Sequence, residues 1–177
     1  SGFTTSNDFY TKDFGGSSYF QDTYTNYIEE GFICQLNATG NLVRWSTYVE
    51  DVVELNSIDF KDDFTEFTVV GQMEGAATAS LEELDGAFYE DEEETALSYI
   101  ATFNNTNHLI WGTKYWGISA QVGQYDINGR LNIGGQIWGN PYWEDVGDGL
   151  GGNGEVFSSP TGGWGENGIY FTTFETD

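Results

Sequence analysis

Cationic residues are scarce in this chain. Lysine and arginine together number 5 against 29 aspartates and glutamates, leaving a formal net charge of −24 over 177 residues. So unbalanced a chain repels phosphate backbones, which excludes nucleic acid as an expected partner. Anionic membrane surfaces are disfavoured for the same reason. Cysteine is nearly missing: Cys34 is the single one, so no internal disulfide can form. Histidine is as rare, with His108 alone, so neither a His-rich metal site nor a repeated His-based triad is available. Only 2 prolines occur. No apolar run approaches the ~20 residues of a membrane span, so direct membrane insertion is not expected, and no signal peptide is visible. The chain starts at Ser1 rather than Met, and a processed chain or a piece of a longer one is the expectation.

Aromatics and glycine are plentiful: 6 Trp, 11 Tyr, 13 Phe and 24 Gly. Aromatic and β-branched residues broken by frequent glycine suit strands and turns better than helices. The length is that of one ordinary domain. By size scaling such a chain buries about two-thirds of its unfolded surface. Cations are the natural counterions of the acidic surface, divalent ions among them, and a solvated, saline-adapted surface is its simplest meaning.

The chain repeats itself. "GFICQLNATGNLVRWSTYVED" (31–51) aligns with "SYIATFNNTNHLIWGTKYWG" (98–117). Phe32 falls on Tyr99, Ile33 on Ile100, Cys34 on Ala101, Leu36 on Phe103 and Asn37 on Asn104. With one residue fewer in the second turn, Leu42 falls on Leu109 and Trp45 on Trp111. Further on, Gly71-Gln72 falls on Gly135-Gln136, and Asp59 falls near Asp126. "IYFTTFET" (169–176) matches "GFICQLNA" (31–38) as the start of a third copy, and "SGFTTSNDF" reads as the tail of a preceding one, with Gly2 in the place of Gly71.

Each unit reads as four short strands. In the first copy they are Phe32–Asn37, with Phe32, Cys34 and Leu36 on one face, then Leu42–Tyr48, a third near Asn56–Phe60, and Thr65–Val70 ended by Gly71. "NATGN" and "KDDF" turn the chain in the first copy, and "DINGR" turns it in the second, where Asn128-Gly129 is a strong hairpin signal. No helical cap with a 3.6-residue periodicity is seen. Long polar segments, roughly 3–30, 73–97 and 137–167, separate the units and are expected to be ordered loops covering one edge of the array.

These residues carry a family resemblance. The Gly-Phe-Ile strand, the Asn-x-x-Gly turn, "LxxWSTY", the Asp-containing hairpin and the glycine-ended last strand resemble the bacterial β-propeller repeats known as SBBP repeats. "GFICQLNATGNLVRWSTY" is the closest stretch and "YIATFNNTNHLIWGTKY" a weaker copy; 31–75, 98–139 and part of 169–177 are covered. The resemblance implies four-stranded blades in a secreted or cell-surface bacterial protein, with no assigned activity. The family's "YYGG" after the Trp strand stands here as "YVED" and "YWGI". A closed propeller needs at least about four blades, more than these units supply.

The expected fold is therefore all-β. It is one β-repeat domain over 1–177 of propeller-like four-stranded blades, with units at about 31–75 and 98–139, partial units at 1–6 and 168–177, and long ordered loops between blades. The expectation is a fragment of a larger propeller, or a chain completed by other chains. A permuted boundary, in which the N-terminal strand completes a blade begun by the C-terminus, stays open beside it.

Several residues are candidates for chemistry. Trp45 and Trp111, at matched places, suit packing anchors between sheets. Trp116, Trp138, Trp143 and Trp164 lie beyond the strand repeats or at their ends, among glycines and acids; they suit either sugar stacking or pinning of loops. Asp145, Asp148 and Glu155 offer oxygen ligands for calcium. Cys34, matched by Ala101 and Thr172, suits a small buried site rather than a nucleophile. His108 suits a surface turn. "GLGGNG" (149–154) matches G-x-G-x-x-G but follows no buried strand and precedes no helix, so the dinucleotide reading fails its context. "YEDEEET" (89–95) suits a solvated acidic stretch. In "NAT" (37–39) and "NNT" (104–106), which share one turn position, a turn asparagine suffices.

The function expected is a non-enzymatic extracellular or cell-surface module, structural or adhesive, with surface glycans or proteins of the same assembly as partners. The alternatives are a carbohydrate-binding propeller, with or without calcium as its cofactor, and a subunit of a fibre or ring closed by strand addition between chains. A polysaccharide-active enzyme ranks last, because no one carboxylate pair stands out.

Overall fold

The computed structural model describes residues 1–24, 29–73, 82, 96–116, 118–137 and 168–174. Ten strands carry it: β1 (Gly2–Thr4), β2 (Glu30–Leu36), β3 (Val43–Val49), β4 (Val52–Phe60), β5 (Glu66–Met73), β6 (Ala96–Asn104), β7 (Leu109–Trp116), β8 (Ile118–Tyr125), β9 (Leu131–Ile137) and β10 (Gly168–Phe174). Among the described residues there is no helix. All pairings are antiparallel, and they form three sheets that run in chain order: β1-β2-β3, β4-β5-β6-β7 and β8-β9-β10.

The sheets do not coincide with the sequence units. The four strands expected to form one blade from 31–75 are split between two sheets, because β2 and β3 join β1 whereas β4 and β5 join β6 and β7. Nor does the N-terminal strand complete a sheet begun by the C-terminal one: β1 pairs with β2, and β10 pairs with β9. The split falls at Glu50-Asp51, where Asp51 adopts φ 56° and the chain passes from the first sheet into the second. Gly31 shows why β4 lies on a face of the first sheet instead of extending it. A Cβ there would meet the Leu55 side chain and the Val52 carbonyl at 3.1 Å, so the bare glycine is the seat on which β4 rests.

The register nonetheless preserves the repeat. Gly2 lies opposite Phe32, Gly71 opposite Tyr99 and Gly135 opposite Tyr170. Gln35 faces Trp45 and Thr102 faces Trp111, each beside a register shift at the next residue. Leu55 faces Gly71 and Ala120 faces Gly135, again beside a shift. In this register Asp59 corresponds to Gln124, which pairs with Asn132 as Asp59 pairs with Thr68, so Asp59 and Asp126 are not equivalent.

The main core lies between the first and second sheets. Ile33, Trp45 and Val49 of the first sheet pack against Val52, Leu55, Phe67, Val69, Met73, Tyr99, Ala101, Phe103 and Leu109 of the second. Burying each such side chain contributes about 1.5–3 kcal/mol. Trp45 stands edge-on to Phe67 and Phe103, at 6.4 and 6.1 Å between ring centroids, and its Nε1 donates to the Tyr19 carbonyl at 2.9 Å. It is an anchor between sheets, and Trp111 is also buried.

The third sheet seats β8 against β4, β5 and β6. Asn56 Nδ2 donates to the Ala120 carbonyl at 2.9 Å, Ser57 Oγ to that of Gly123 at 3.2 Å, and Asp59 Oδ2 accepts from the Tyr125 N–H at 2.8 Å. Side chains of β4 thereby satisfy backbone groups of its counterpart β8, which otherwise would be lost from water.

Two isolated bridges lie on sheet edges, and of the expected covering loops most of 73–97 and 137–167 lies outside the described residues. Lys12 exchanges backbone hydrogen bonds with Ser46 of β3, and Glu82 does the same with Gly112 of β7. Ser46 and Gly112 are matched positions, opposite Cys34 and Ala101. A bare outer edge is a template for unwanted pairing, and these bridges occupy it.

Candidate functional site

Four hairpin turns gather at one end of the molecule, at Asn37–Leu42, Lys61–Glu66, Asn104–His108 and Asp126–Arg130. In each, the fourth residue donates its N–H to the carbonyl of the first, and that fourth residue is left-handed: Gly40 (φ 70°), Phe64 (57°), Asn107 (62°) and Gly129 (80°). The Asn105 N–H bonds the Thr65 carbonyl at 2.8 Å, and Asn107 Nδ2 donates to Gln35 Oε1 at 3.3 Å, which ties neighbouring turns together.

Short polar side chains lock these turns. Asp63 Oδ1 accepts from the Thr65 N–H at 3.0 Å and its hydroxyl at 2.6 Å. Asp126 accepts from the N–H groups of Asn128 and Arg130 at 2.8 and 3.0 Å, and from Arg130 Nε at 3.0 Å. The Thr65 hydroxyl holds the Asp63 carboxyl below the usual range, and the Arg130 N–H does the same for Asp126. Asn104 Oδ1 accepts from Thr106 N, Thr106 Oγ1 and His108 N, and Asn37 Oδ1 accepts from Asn41 N and Leu42 N. The two sequon asparagines are thus turn-forming residues. His108 is exposed, and its Nδ1 bonds the Ser17 carbonyl at 2.6 Å, holding the N-terminal segment against the turn.

Between these turns stand exposed apolar residues: Phe60, Phe64 and Ile127 at the β4–β5 and β8–β9 hairpins, and Leu36 and Leu42 at the β2–β3 hairpin. Phe60 and Phe64 touch each other at 6.3 Å between centroids. What this end offers is an apolar and acidic contact surface on rigid hairpins.

Of the residues expected to act, Trp116 closes β7, its backbone opposite Ala96, and its side chain lies outside what is described. Trp138, Trp143 and Trp164 lie outside the described residues, as do Asp145, Asp148 and Glu155, the "GLGGNG" stretch and the acidic run 89–95. Among the described residues no three of His, Cys, Asp and Glu converge on one point. Cys34 is a free, half-buried thiol, more open than its matched Ala101, because the face of the first sheet that it shares with Leu36 is not covered by another described sheet.

Sequence reasoning missed the buried charges. Glu30 is fully buried at the head of β2 and accepts from Gln21 Nε2 at 3.0 Å. Burial, then the nearby Glu30 and Glu29, raises the Tyr24 pKa, and the Tyr24 hydroxyl is buried with no hydrogen-bond partner among the described residues. A second hidden cluster joins β5, β6 and β8: Thr68 Oγ1 meets Thr102 Oγ1 at 2.7 Å and the Tyr125 hydroxyl at 2.6 Å, while burial raises the Tyr125 pKa. A Glu-Glu pair at a strand start is the one sequence signal for Glu30, and it does not separate a buried from a solvated acid.

Comparisons with protein-family models, with curated proteins and with solved structures return no match. Among the described residues no helix is long and apolar enough to cross a membrane.

Proposed function

We propose that this chain is a non-enzymatic structural and adhesive module of a bacterial surface or secreted protein, built of β-propeller-like sheets. One observation carries the reading: the residues that recur from sheet to sheet serve architecture. Gly2, Gly71 and Gly135 each face an aromatic residue across a strand pair, Trp45 and Trp111 are buried, and the matched turn residues are spent on backbone hydrogen bonds. Face-to-face stacking, with β4 against β1 and β2 and β8 against β4, β5 and β6, supports the propeller-like arrangement. The net charge of −24 suits a solvated outer surface. The test is turnover on a panel of polysaccharides, with the chain as it stands. No turnover is expected; a turnover abolished by substituting one carboxylate overturns the reading.

A further inference from the structure

The four hairpin turns share one frame, and one of them breaks its residue pattern. The left-handed fourth position is held by Gly40, Asn107 and Gly129 in three turns, residue types that suit it. In the β4–β5 turn it is held by Phe64, at φ 57°, and a bulky side chain in that region is strained. Burial does not offset the strain, because the Phe64 ring is 71% exposed. Among the described residues the ring rests on Phe60, which packs in turn on Phe67. Asp63 fixes the turn by accepting from the Thr65 N–H and hydroxyl. A strained aromatic, held outward on a firm base, serves contact with a partner rather than folding.

The charges around the ring describe what fits it. Asp62 and Asp63 stand exposed in the same turn, directly before Phe64. The cation of that turn, Lys61, lies 3.7 Å from Glu66, and Arg130 of the β8–β9 hairpin is held by Asp126 at 3.0 Å. The two hairpins are neighbours, since a Cβ on Gly129 would lie 3.2 Å from Lys61 Cε. Both cations are thus engaged inside their own hairpins, while Asp62 has no ion pair among the described residues. Ile127, 89% exposed, is the apolar tip of the second hairpin. Anionic lipid, nucleic acid and a second copy of this chain, at −24, are all repelled from such a surface.

We infer that the surface around Phe64 and Ile127 docks a basic polypeptide segment. An Arg or Lys side chain of the partner lies over the Phe64 ring, beside the Asp62 and Asp63 carboxylates, and an apolar neighbour rests on Ile127. The face of an aromatic ring attracts a cation, and opposite charge steers and aligns the partner. The inference rests on the adhesive-module reading above and names the chemistry of what the module holds.

Stability and binding pull in opposite directions at Phe64, which gives the test a readout that a structural role lacks. The probe is a short fluorescein-labelled peptide of alternating arginine and leucine, added to the 177-residue chain and followed by anisotropy. Saturable binding is expected, weakened by added NaCl as screening reduces the attraction. Phe64→Gly should bind at least about tenfold more weakly, with a urea midpoint equal to or above that of the parent. Ile127→Ser and Asp62→Asn should each weaken binding, and a peptide with glutamate in place of arginine should not bind. Equal binding by Phe64→Gly, binding of the glutamate peptide, or a lower urea midpoint in Phe64→Gly overturns the inference. So does flotation of the chain with phosphatidylcholine vesicles, or its dimerisation in sedimentation, if either is lost in Phe64→Gly, since those results assign the surface to a lipid or to a second copy. None of these outcomes touches the turnover assay, so the inference and the module reading fail separately.

Discussion

The first and second sheets are built from matching strands and end up in different surroundings. Tyr99, Ala101 and Phe103 of β6 are fully buried against the first sheet, whereas their matches in β2, Phe32, Cys34 and Leu36, lie on a face that no other described sheet covers. Leu36 is 51% exposed where Phe103 is 0%, and Val43, which the register matches to Leu109 in place of the Leu42 expected from the sequence, is half-buried where Leu109 is 8% exposed. Strand pairing and register match in both, apart from one residue fewer in the second turn; the neighbour does not. Burial in this molecule is set by a sheet's position in the stack. The N-terminal segment partly compensates in the first sheet, where Phe9 packs on Phe32 and Tyr48 at 4.6 and 5.6 Å between centroids.

Matched substitutions sharpen that contrast. The largest effect is expected from Phe103→Ala, which opens a cavity in the core and should cost about 3–5 kcal/mol. Leu36→Ala at the matched exposed position should cost at most about 0.5 kcal/mol. Urea unfolding of the two variants measures both, and equal losses would break the comparison. The next effect concerns a glycine. A Cβ at Gly71 would run into the Glu54 carbonyl of β4, whereas at Gly2 it would meet only the Phe32 ring, at 3.2 Å. Gly71→Ala should therefore cost about 1–3 kcal/mol and Gly2→Ala clearly less, read from the same unfolding curves.

The hairpins supply a smaller test. Phe64 holds φ 57° and is 71% exposed, while its counterpart Gly129 holds φ 80°. A left-handed residue with a Cβ costs roughly 1–2 kcal/mol. Gly129→Ala should thus destabilise by about 1 kcal/mol, while Phe64→Gly should be neutral or stabilising, less what its contact with Phe60 contributes. The mildest effect is one of pH. Hydrogen bonds from the Gly15 N–H, the Thr65 hydroxyl and the Arg130 N–H lower the carboxyl pKa of Asp13, Asp63 and Asp126 respectively. A depressed folded pKa contributes stability above the unfolded value of ~3.9, and that contribution is lost as pH falls through the folded pKa. The urea midpoint should drop between about pH 5 and pH 2, and a D13N/D63N/D126N variant should show a shallower drop.

Much of this was legible in the sequence, for local reasons. Alternation and turn residues place most strands, and the alignment gives the second turn one residue fewer, as Asn104 N bonds the His108 carbonyl while Asn37 N reaches Leu42; its pairing of Leu42 with Leu109 is one residue off, since Leu42 matches His108 and Val43 matches Leu109. Gly2, Gly71 and Gly135 were aligned from sequence and hold equivalent cross-strand positions. The sheet boundary was not legible, because the in-plane neighbour of β5 is β6, across segment 74–95, and composition does not encode that choice. The third strand, expected near Asn56–Phe60, starts earlier, at Val52, because a register shift near Leu55 disturbs the alternation that would mark it. The face of Phe32, Cys34 and Leu36 was recognised, but Ile33 on the opposite face is the one in the core. The expected binding residues beyond Trp116 fall outside the described residues.

The central claim is that each sheet joins the end of one sequence unit to the start of the next. Long-range amide–amide and Hα–Hα NOEs in the labelled chain test it most directly. The account predicts cross-strand contacts for Gly2 with Phe32, Gly71 with Tyr99 and Gly135 with Tyr170. A continuous ladder joining β3 to β4, with none between β5 and β6, would contradict it.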